Sequence, residues 1–488
     1  MRLLDVIRSA MQRKTSLVLH NTLTKADDLF TLPPVAKQVR MYNCGPTVYG
    51  KQHIGNLSMF VFTDILRRTL EWNNFSVDQV INITDVGHLQ SDADAGEDKM
   101  TLGLQRDGLP LTLDNMKVLA EKYASLFFDD LSLLGIDISR IRFPRASDYI
   151  AADIAMIQTL QEKGYAYTAI GGVYYDTVRF PAYGKLGTID LTGQLEGARV
   201  ALTSEKRNPT DFLLWKSDVH LGWDSPWGMG FPGWHIECSA MIRSTLGRQI
   251  DIHTGGIEHI PIHHNNEIAQ SEVATGRTPL SRFWMHRAHI QINGGKIAKS
   301  QGNVVYLSDI IERRFHPLSL RYLFLQAHYR SPSNFSWEAL SAAQTAFANL
   351  LSLTAARESS HAAPSSAWIR RFTQRINNDL DTPGALAVLW DMTKDRKLSP
   401  AVRYATLVKM DHVLGLNIET PDAAAMRLIR TELALSEVPA DIQSLIAERT
   451  EARKTKDWKR ADEVRTSLET AGYEVEDTNG ATRIFRKY

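Results

Sequence analysis

Apolar residues recur three and four apart through Gly55–Asn73. Leu57, Val61 and Ile65 form one row, and Phe62, Leu66 and Leu70 form a second beside it. Two adjacent i,i+4 rows predict a helix with a broad apolar face. The flanking runs are different. Gln38–Cys44, with Val39 and Met41 apolar, and Gln79–Asp85, with Val80, Ile81 and Ile83, read as strands. Strand, helix, strand in so short a span is the signature of a parallel sheet with a crossover. Gln249–His253 and Phe283–Ile292 read as further strands. Between them, Tyr167–Phe180 carries two short strand-like runs around Gly171-Gly172, a hairpin turn, within an insertion at about 137–222. After Asp309 the strands thin out. Residues 338–415 read as helices with alanine-rich spacers, and 362–367 as a loop. Ile442–Ala471 reads as one charged helix, and Tyr473–Tyr488 as a short strand-like end.

Composition narrows the class. A chain of 488 residues, 43% hydrophobic and 23% charged, is neither disordered nor collagen-like, and its length predicts about three domains. With 56 Lys and Arg against 55 Asp and Glu, the formal charge is +1. A nucleic-acid partner must therefore be held by local patches. Two cysteines exclude a disulfide scaffold. No apolar run approaches the roughly 18 residues of a membrane span. Arg2, Arg8, Arg13 and Lys14 lie near the N-terminus, but Asp5 and broken apolar runs interrupt them, so no signal peptide is expected. The expected location is a reducing cytoplasm.

Three segments carry chemistry. Cys44-Gly45-Pro46-Thr47-Val48-Tyr49-Gly50-Lys51-Gln52-His53-Ile54-Gly55-Asn56 joins the first strand to the helix. A helix N-terminus offers unpaired N–H groups to a phosphate, glycines let the backbone approach, and His53 and Asn56 add donors. Taken alone, His-x-Gly fits a structural histidine equally well. Asn293-Gly294-Gly295-Lys296-Ile297-Ala298-Lys299-Ser300-Gln301-Gly302-Asn303 is a cationic glycine loop, suited to charge developing during phosphate transfer. It lacks Walker A spacing, and a solvated basic turn is its plain alternative. The third is a scattered metal set. Cys44 ends a strand, and Cys238 lies near a helix start in Trp234-His235-Ile236-Glu237-Cys238. His263 and Glu267, four apart, share a helical face. Thiolates, imidazole and carboxylate together suit zinc. Buried free cysteines and ordinary polar histidines are the alternative, and His253, His259 and His264 are rival ligands.

Two motifs mislead. Gly228-Met229-Gly230-Phe231-Pro232-Gly233 fits a dinucleotide fingerprint, yet no apolar strand precedes it and Pro232 lacks the N–H a pyrophosphate needs. Asp92-Ala93-Asp94-Ala95-Gly96-Glu97 hints at a calcium loop, but its glycine falls one position early.

In this order the segments resemble the cysteinyl-tRNA synthetases, a family of class I aminoacyl-tRNA synthetases. The resemblance runs from Leu17–Thr24 through Cys44–Asn56, Asn82–Asp85 and Arg207–Lys216. It continues through Ser225–Met241, His263–Glu272, Lys296–Asn303 and Ala452–Asp462. It implies an α/β fold: a Rossmann-like parallel-sheet catalytic domain with an inserted connecting domain, an α-helical bundle and a small C-terminal domain. The implied divisions are 1–136 and 223–308 for the catalytic halves and 137–222 for the insertion. Residues 309–337 would be a stem-contact linker, 338–424 a tRNA-binding bundle and 425–488 an anticodon-binding domain.

The resemblance also implies roles. His53-Ile54-Gly55-Asn56 matches the HIGH motif and Lys296–Ser300 the KMSKS loop. This assigns catalysis to His53, Asn56, Lys296 and Lys299, and ATP binding to Thr47, His53, Gly55, Asn56 and Lys299. Cys44, Cys238, His263 and Glu267 match zinc ligands, one Zn2+ per chain, and Trp234 and Thr84 match the wall of a cysteine pocket. Cofactors would be Zn2+ and ATP with Mg2+. Partners would be L-cysteine, ATP and tRNA(Cys), with no membrane and a monomeric chain. Arg453, Lys454, Lys456, Lys459 and Arg460, with Trp458 among them, would meet the anticodon region. The sequence departs from the family at Asn56, at Ile297-Ala298, at Glu258, through Val86–Met100 and at Thr482–Phe485. A thiol-biosynthetic ligase joining cysteine to an amino-sugar shares these motifs but lacks a full tRNA-reading tail. A catalytically dead paralogue that only binds RNA or senses cysteine is a third reading.

Overall fold

In a computed structural model of the chain, the described residues are 16–33, 36–87, 99–187, 206–292, 295–296, 304–353, 362–426, 428, 430–478 and 481–487. Five parallel strands form the central sheet: β1 (Val39–Asn43), β2 (Val77–Ile81), β3 (Ile141–Arg142), β4 (Ile250–Gly256) and β5 (Ser281–Arg287), in the order β5-β4-β1-β2-β3. Met41 lies opposite Gln79 on one side and Ile252 on the other. Strand order reverses between β1 and β4, and at such a switch point the strand ends open a crevice for a ligand. Helix α1 (Ile54–Trp72) crosses from β1 to β2. The two predicted apolar rows are buried, and so is much of its opposite face, including Thr63, Asp64 and Arg67. The sheet covers α1 on one side and the C-terminal helices cover it on the other. Helices α2 (Trp234–Thr245) and α3 (His263–Thr275) pack together beside the sheet.

The segment expected to be an insertion carries a second, antiparallel sheet. Its antiparallel sheet runs Ala166–Ala169, Gly172–Tyr175, Phe212–Ser217, Gly230–Pro232, so it reaches beyond 222. Before it in the chain, Ile141–Arg142 pairs with β2 and belongs to the parallel sheet. The glycine-rich fingerprint decoy also resolves here. A Cβ at Gly230 would collide with the Lys216 carbonyl, and one at Gly233 with the Leu213 carbonyl. Those glycines serve close strand contact. The calcium-loop decoy lies outside the described residues.

Phe283–Ile292, read as one strand, is two. β5 ends at Arg287, and Ile290–Ile292 joins a separate small sheet beside Ser333–Phe335. The helices Trp337–Ser352, Ser366–Ile376, Thr382–Lys394 and Pro400–Leu414 form the expected helical region. The charged C-terminal helix is broken into Ala440–Lys454 and Trp458–Thr470, with Lys456 in left-handed backbone (φ 60) between them. Packed on them is a three-stranded sheet of Arg430–Leu433, Ala481–Lys487 and Tyr473–Thr478. Val438, Ile442, Ile446, Val464, Leu468 and Ile484 form its core.

Candidate active site

The β1–α1 connection is pulled tight against β2. The Gly45 N–H donates to Asn82 Oδ1 at 2.8 Å, and a Cβ there would overlap the Asn82 carbonyl. His53 then caps α1, its Nδ1 accepting from the Asn56 N–H at 3.2 Å. The first turn of α1 faces a cleft of about 470 Å³ at the carboxyl edge of the sheet. Thr47, His53, Gly55 and Asn56 line one wall, and Trp234, Cys238 and His263 line another. The nucleotide cradle and the metal set, expected from separate stretches of sequence, thus share one cavity. Thr84 is not in its lining. It is buried one layer back, where its hydroxyl donates to Glu237 Oε2 at 3.3 Å, and Asn82 faces the cleft instead. The backbone of Lys296 pairs with Gln291. Lys299 lies outside the described residues.

Three elements converge behind the cradle. Cys44 follows β1, Cys238 sits in the second turn of α2, and His263 and Glu267 occupy successive turns of α3. One ligand atom from each lies within 4.8 Å of all the others, and all four residues are buried. His263 Nε2 lies 2.8 Å from Glu267 Oε1 yet is not aligned to hydrogen-bond with it. An imidazole nitrogen held without a hydrogen bond beside two sulfurs and a carboxylate fits a borderline-soft divalent ion such as zinc. The ring of His263 is fixed from outside. Its Nδ1 meets His235 Nδ1 at 2.8 Å, and Trp234 stacks on it at 4.1 Å between centroids.

The charges in this cluster are strongly coupled. Burial would raise the Glu267 carboxyl, but His253 and His263 hold it well below the usual carboxylate range. Burial would lower His263, and the Glu267 charge overrides it, raising the imidazole to about 10. Hydrogen bonding from the Cys44 thiol brings Cys238 down to about 6, against its burial, while burial pushes Cys44 itself up. A carboxylate at Glu267 and a thiolate at Cys238 are thus favoured, whereas His263 and Cys44 are held protonated and would release protons to a metal.

Two of the rival histidines lie beside the same cluster. Cys44, His253, His264 and Glu267 form a second set within the same 4.8 Å limit, so two rivals are close enough to compete. Both hold partners, as His263 does on its own Nδ1, and His264 Nε2 faces Cys44 Sγ at 3.3 Å, so the geometry leaves both sets open. His253 Nε2 is 2.7 Å from Glu267 Oε2, and His264 Nδ1 is 2.8 Å from His286 Nε2, which passes the chain on to Thr22 Oγ1. His259 belongs to neither set. Sequence reasoning missed His235 and His286, which orient the others. It also missed Lys99, whose Nζ lies 5.7 Å from the Trp234 ring centroid, and Arg287 at the end of β5. For Arg287 a signal existed: a cation ends the apolar run Phe283-Trp284-Met285-His286-Arg287.

The C-terminal cations are partly neutralised. Arg460 pairs with Glu448 and Glu463, and Arg453 with Asp477. Trp458 is 57% exposed, with the Arg453 guanidinium 5.8 Å from its ring centroid.

Comparison with known proteins places this geometry. The profile of the tRNA synthetases class I (C) catalytic domain matches residues 31–345, and that of the cysteinyl-tRNA ligase anticodon binding domain matches 435–484. A cysteine–tRNA ligase of Burkholderia lata is 44% identical over 475 residues, spanning 96% of this chain and 97% of that one. One from Treponema denticola is 38% identical over 497 residues, spanning 96% and 99%. Among solved structures, Mycobacterium tuberculosis methionyl-tRNA synthetase with methionyl-adenylate matches with a TM-score of 0.53 at 14% identity, covering 84% of this chain and 96% of its own. The LeuRS–tRNA–LeuAMS complex of Agrobacterium radiobacter matches with a TM-score of 0.58 at 11% identity, covering 82% and 86%. The latter two share the fold alone. No described helix is long and apolar enough to cross a membrane. The two family profiles and the near full-length identities agree with the cleft and its donors: the chain belongs to the cysteinyl-tRNA synthetase family, within class I of the aminoacyl-tRNA synthetases.

Proposed function

We propose that this chain joins L-cysteine to tRNA(Cys) using ATP, through a cysteinyl-adenylate. The observation that carries the reading is the shared cavity: the capped start of α1 and Cys44, Cys238 and His263 line one cleft, with Glu267 buried within ligand reach of those three. The cysteine carboxylate attacks the α-phosphorus in line, and pyrophosphate leaves with Mg2+. No general base is required, because the carboxylate is ionised near neutral pH. The chain positions the reactants and offsets charge. The N–H groups of α1, with His53 and Asn56, meet the phosphates, and Lys296 and Lys299 are assigned to the leaving side. A terminal ribose hydroxyl of the tRNA then attacks the adenylate carbonyl. The expected pocket wall is Trp234, with Thr84 supporting it through Glu237.

Cys44, Cys238, His263 and Glu267 would hold one zinc ion. When bound, zinc favours a thiolate sulfur over a hydroxyl, which supplies the cysteine-over-serine selectivity that an apolar pocket limits to about 10²-fold. Such selectivity removes the need for an editing domain, and the insertion then serves as a connecting domain. The C-terminal match to an anticodon-binding domain favours tRNA over an amino-sugar as acceptor. We assign 338–424 and 425–488 to tRNA binding, and a cytoplasmic, monomeric chain follows from the same reading. The test is pyrophosphate exchange across all twenty amino acids, with metal content measured on the same sample. Cysteine-dependent exchange and one zinc per chain are expected. Exchange driven equally by serine, or full activity without metal, would overturn the reading.

A further inference from the structure

Among the described residues four arginines are buried: Arg67, Arg287, Arg321 and Arg449. Three have carboxylate partners. Arg67 pairs with Asp64 at 2.6 Å, Arg321 with Asp64 at 2.6 Å and Arg449 with Asp477 at 2.8 Å. Arg287 pairs with no carboxylate among the described residues. Its Nε donates to Ser58 Oγ at 2.9 Å, and Ser58 Oγ donates to the Gly55 carbonyl at 2.7 Å, inside the first turns of α1. The Phe324 ring lies 5.8 Å from the guanidinium on another side. Burial pulls its pKa down to about 10, which leaves it charged at neutral pH. An uncompensated buried cation opposes folding. Arg287 lines the cleft together with His53, Gly55 and Asn56, and a smaller pocket beside Ser58 and Phe324 on its other side.

A cation left unneutralised at the wall of a cavity is completed by an anion that enters it. The N-terminus of α1, one turn away, already favours negative charge. In a water-poor wall such a charge acts far more strongly than at a surface. We infer that Arg287 is an anion-binding residue of the nucleotide site, holding the phosphate-bearing part of ATP through its charge. The inference rests on the proposed use of ATP and adds a residue to that site. Arg287 is charged, exposes little surface and is tied to the α1 turn through Ser58, so it forms part of a fixed cradle.

The experiment is calorimetric binding of ATP, AMP and adenosine to the full chain and to R287M and R287K. In R287M, ATP should bind at least about tenfold more weakly, AMP should be affected less, and adenosine should stay within about twofold. The melting temperature of ligand-free R287M should equal or exceed that of the parent, because a buried charge is gone. R287K should retain most of the ATP affinity. Should R287M fail to fold, R287Q keeps a donor for Ser58 without the charge and carries the same comparison. Equal weakening of ATP and adenosine, or unchanged ATP binding, would overturn the inference while leaving the nucleotide reading intact. Failure of the parent chain to bind ATP would overturn both.

Discussion

Asp64 is fully buried in the middle of α1 and holds three arginines at once. Oδ1 accepts from Arg67 at 2.6 Å, and Oδ2 accepts from Arg68 at 2.7 Å and from Arg321 at 2.6 Å. The arginines carry the contact outward. Arg321 donates to the Leu414 and Leu134 carbonyls, and Arg68 to those of Gly135 and His412. One carboxylate thus ties the helix that starts at the nucleotide cradle to the end of the Pro400–Leu414 helix. Asp64→Asn keeps the shape and removes the charge. Arg321 and Arg67 are then left buried with an amide in place of their counter-ion. Breaking a buried pair in this way costs about 3–5 kcal/mol, a large share of the 5–15 kcal/mol that holds typical domains folded. Equilibrium urea unfolding, followed by tryptophan fluorescence and by residual activity, measures the loss. A cost below about 1 kcal/mol would refute the reasoning.

The pH dependence gives an independent check on the same residue. Burial would raise the Asp64 carboxyl, but Arg321, Arg68 and Arg67 hold it well below its unfolded value. A group depressed on folding contributes stability above its unfolded pKa, near 3.9, and loses it as pH falls through the folded value. The gap between the parent and Asp64→Asn should therefore be widest near neutrality and close in acid. Replacing both partners with apolar residues, Asp64→Leu with Arg321→Met, should recover much of the loss, since the desolvation of both charges disappears together.

Asp153 should behave with the opposite sign. It is buried with both carboxyl oxygens unpartnered, and burial raises its pKa on folding. Its stability contribution is therefore lost as pH rises past the unfolded value, and Asp153→Asn should gain on the parent between pH 4 and pH 7 in the same urea titration. Cys238→Ser should lower zinc content and reduce cysteine-over-serine preference in pyrophosphate exchange; unchanged preference would count against the assigned ligand. Gly45→Ala should destabilise by about 1–3 kcal/mol, because the new methyl meets the Asn82 carbonyl. Trp458→Ala should shift stability by no more than about 0.5 kcal/mol at its exposed position while weakening tRNA charging, which aminoacylation at limiting tRNA measures.

Where an element follows a single periodicity it was legible in the sequence. The rows Leu57–Ile65 and Phe62–Leu70 placed α1 within a residue of its ends, and β1, β2 and β4 followed from short apolar runs. Phe283–Ile292 failed because apolar residues resume at Ile290, and the cation that ends the first run at Arg287 does not by itself announce a change of sheet. The charged C-terminal helix failed at Lys456, where one left-handed residue breaks a pattern that polar side chains on both sides leave unbroken. The strands Ile141–Arg142 and Gly230–Pro232 were not legible because they are too short to show a period.

The site divides along the same physical line. Residue types could nominate two cysteines, His263 and Glu267, but separations of up to 223 residues give no reason to prefer them over His253 or His264. Side-chain orientation in three dimensions constrains the cluster but leaves both sets within reach of one ion. Glu267 has two oxygens, and it offers one toward His263 while giving the other to His253 at 2.7 Å. His264 is likewise committed on its far side to His286. On the proposed ligand set, His253 and His264 would act as supports that orient the carboxylate and the ring. A change at His253 should then act through Glu267, reducing metal affinity without removing a ligand. His253→Gln should weaken zinc binding by about 10–100-fold, while Glu267→Gln removes a ligand outright and should weaken it further. Competition with a chelator of known affinity separates the two. Equal losses in both variants would make His253 a ligand in its own right and shift the assignment to the second set.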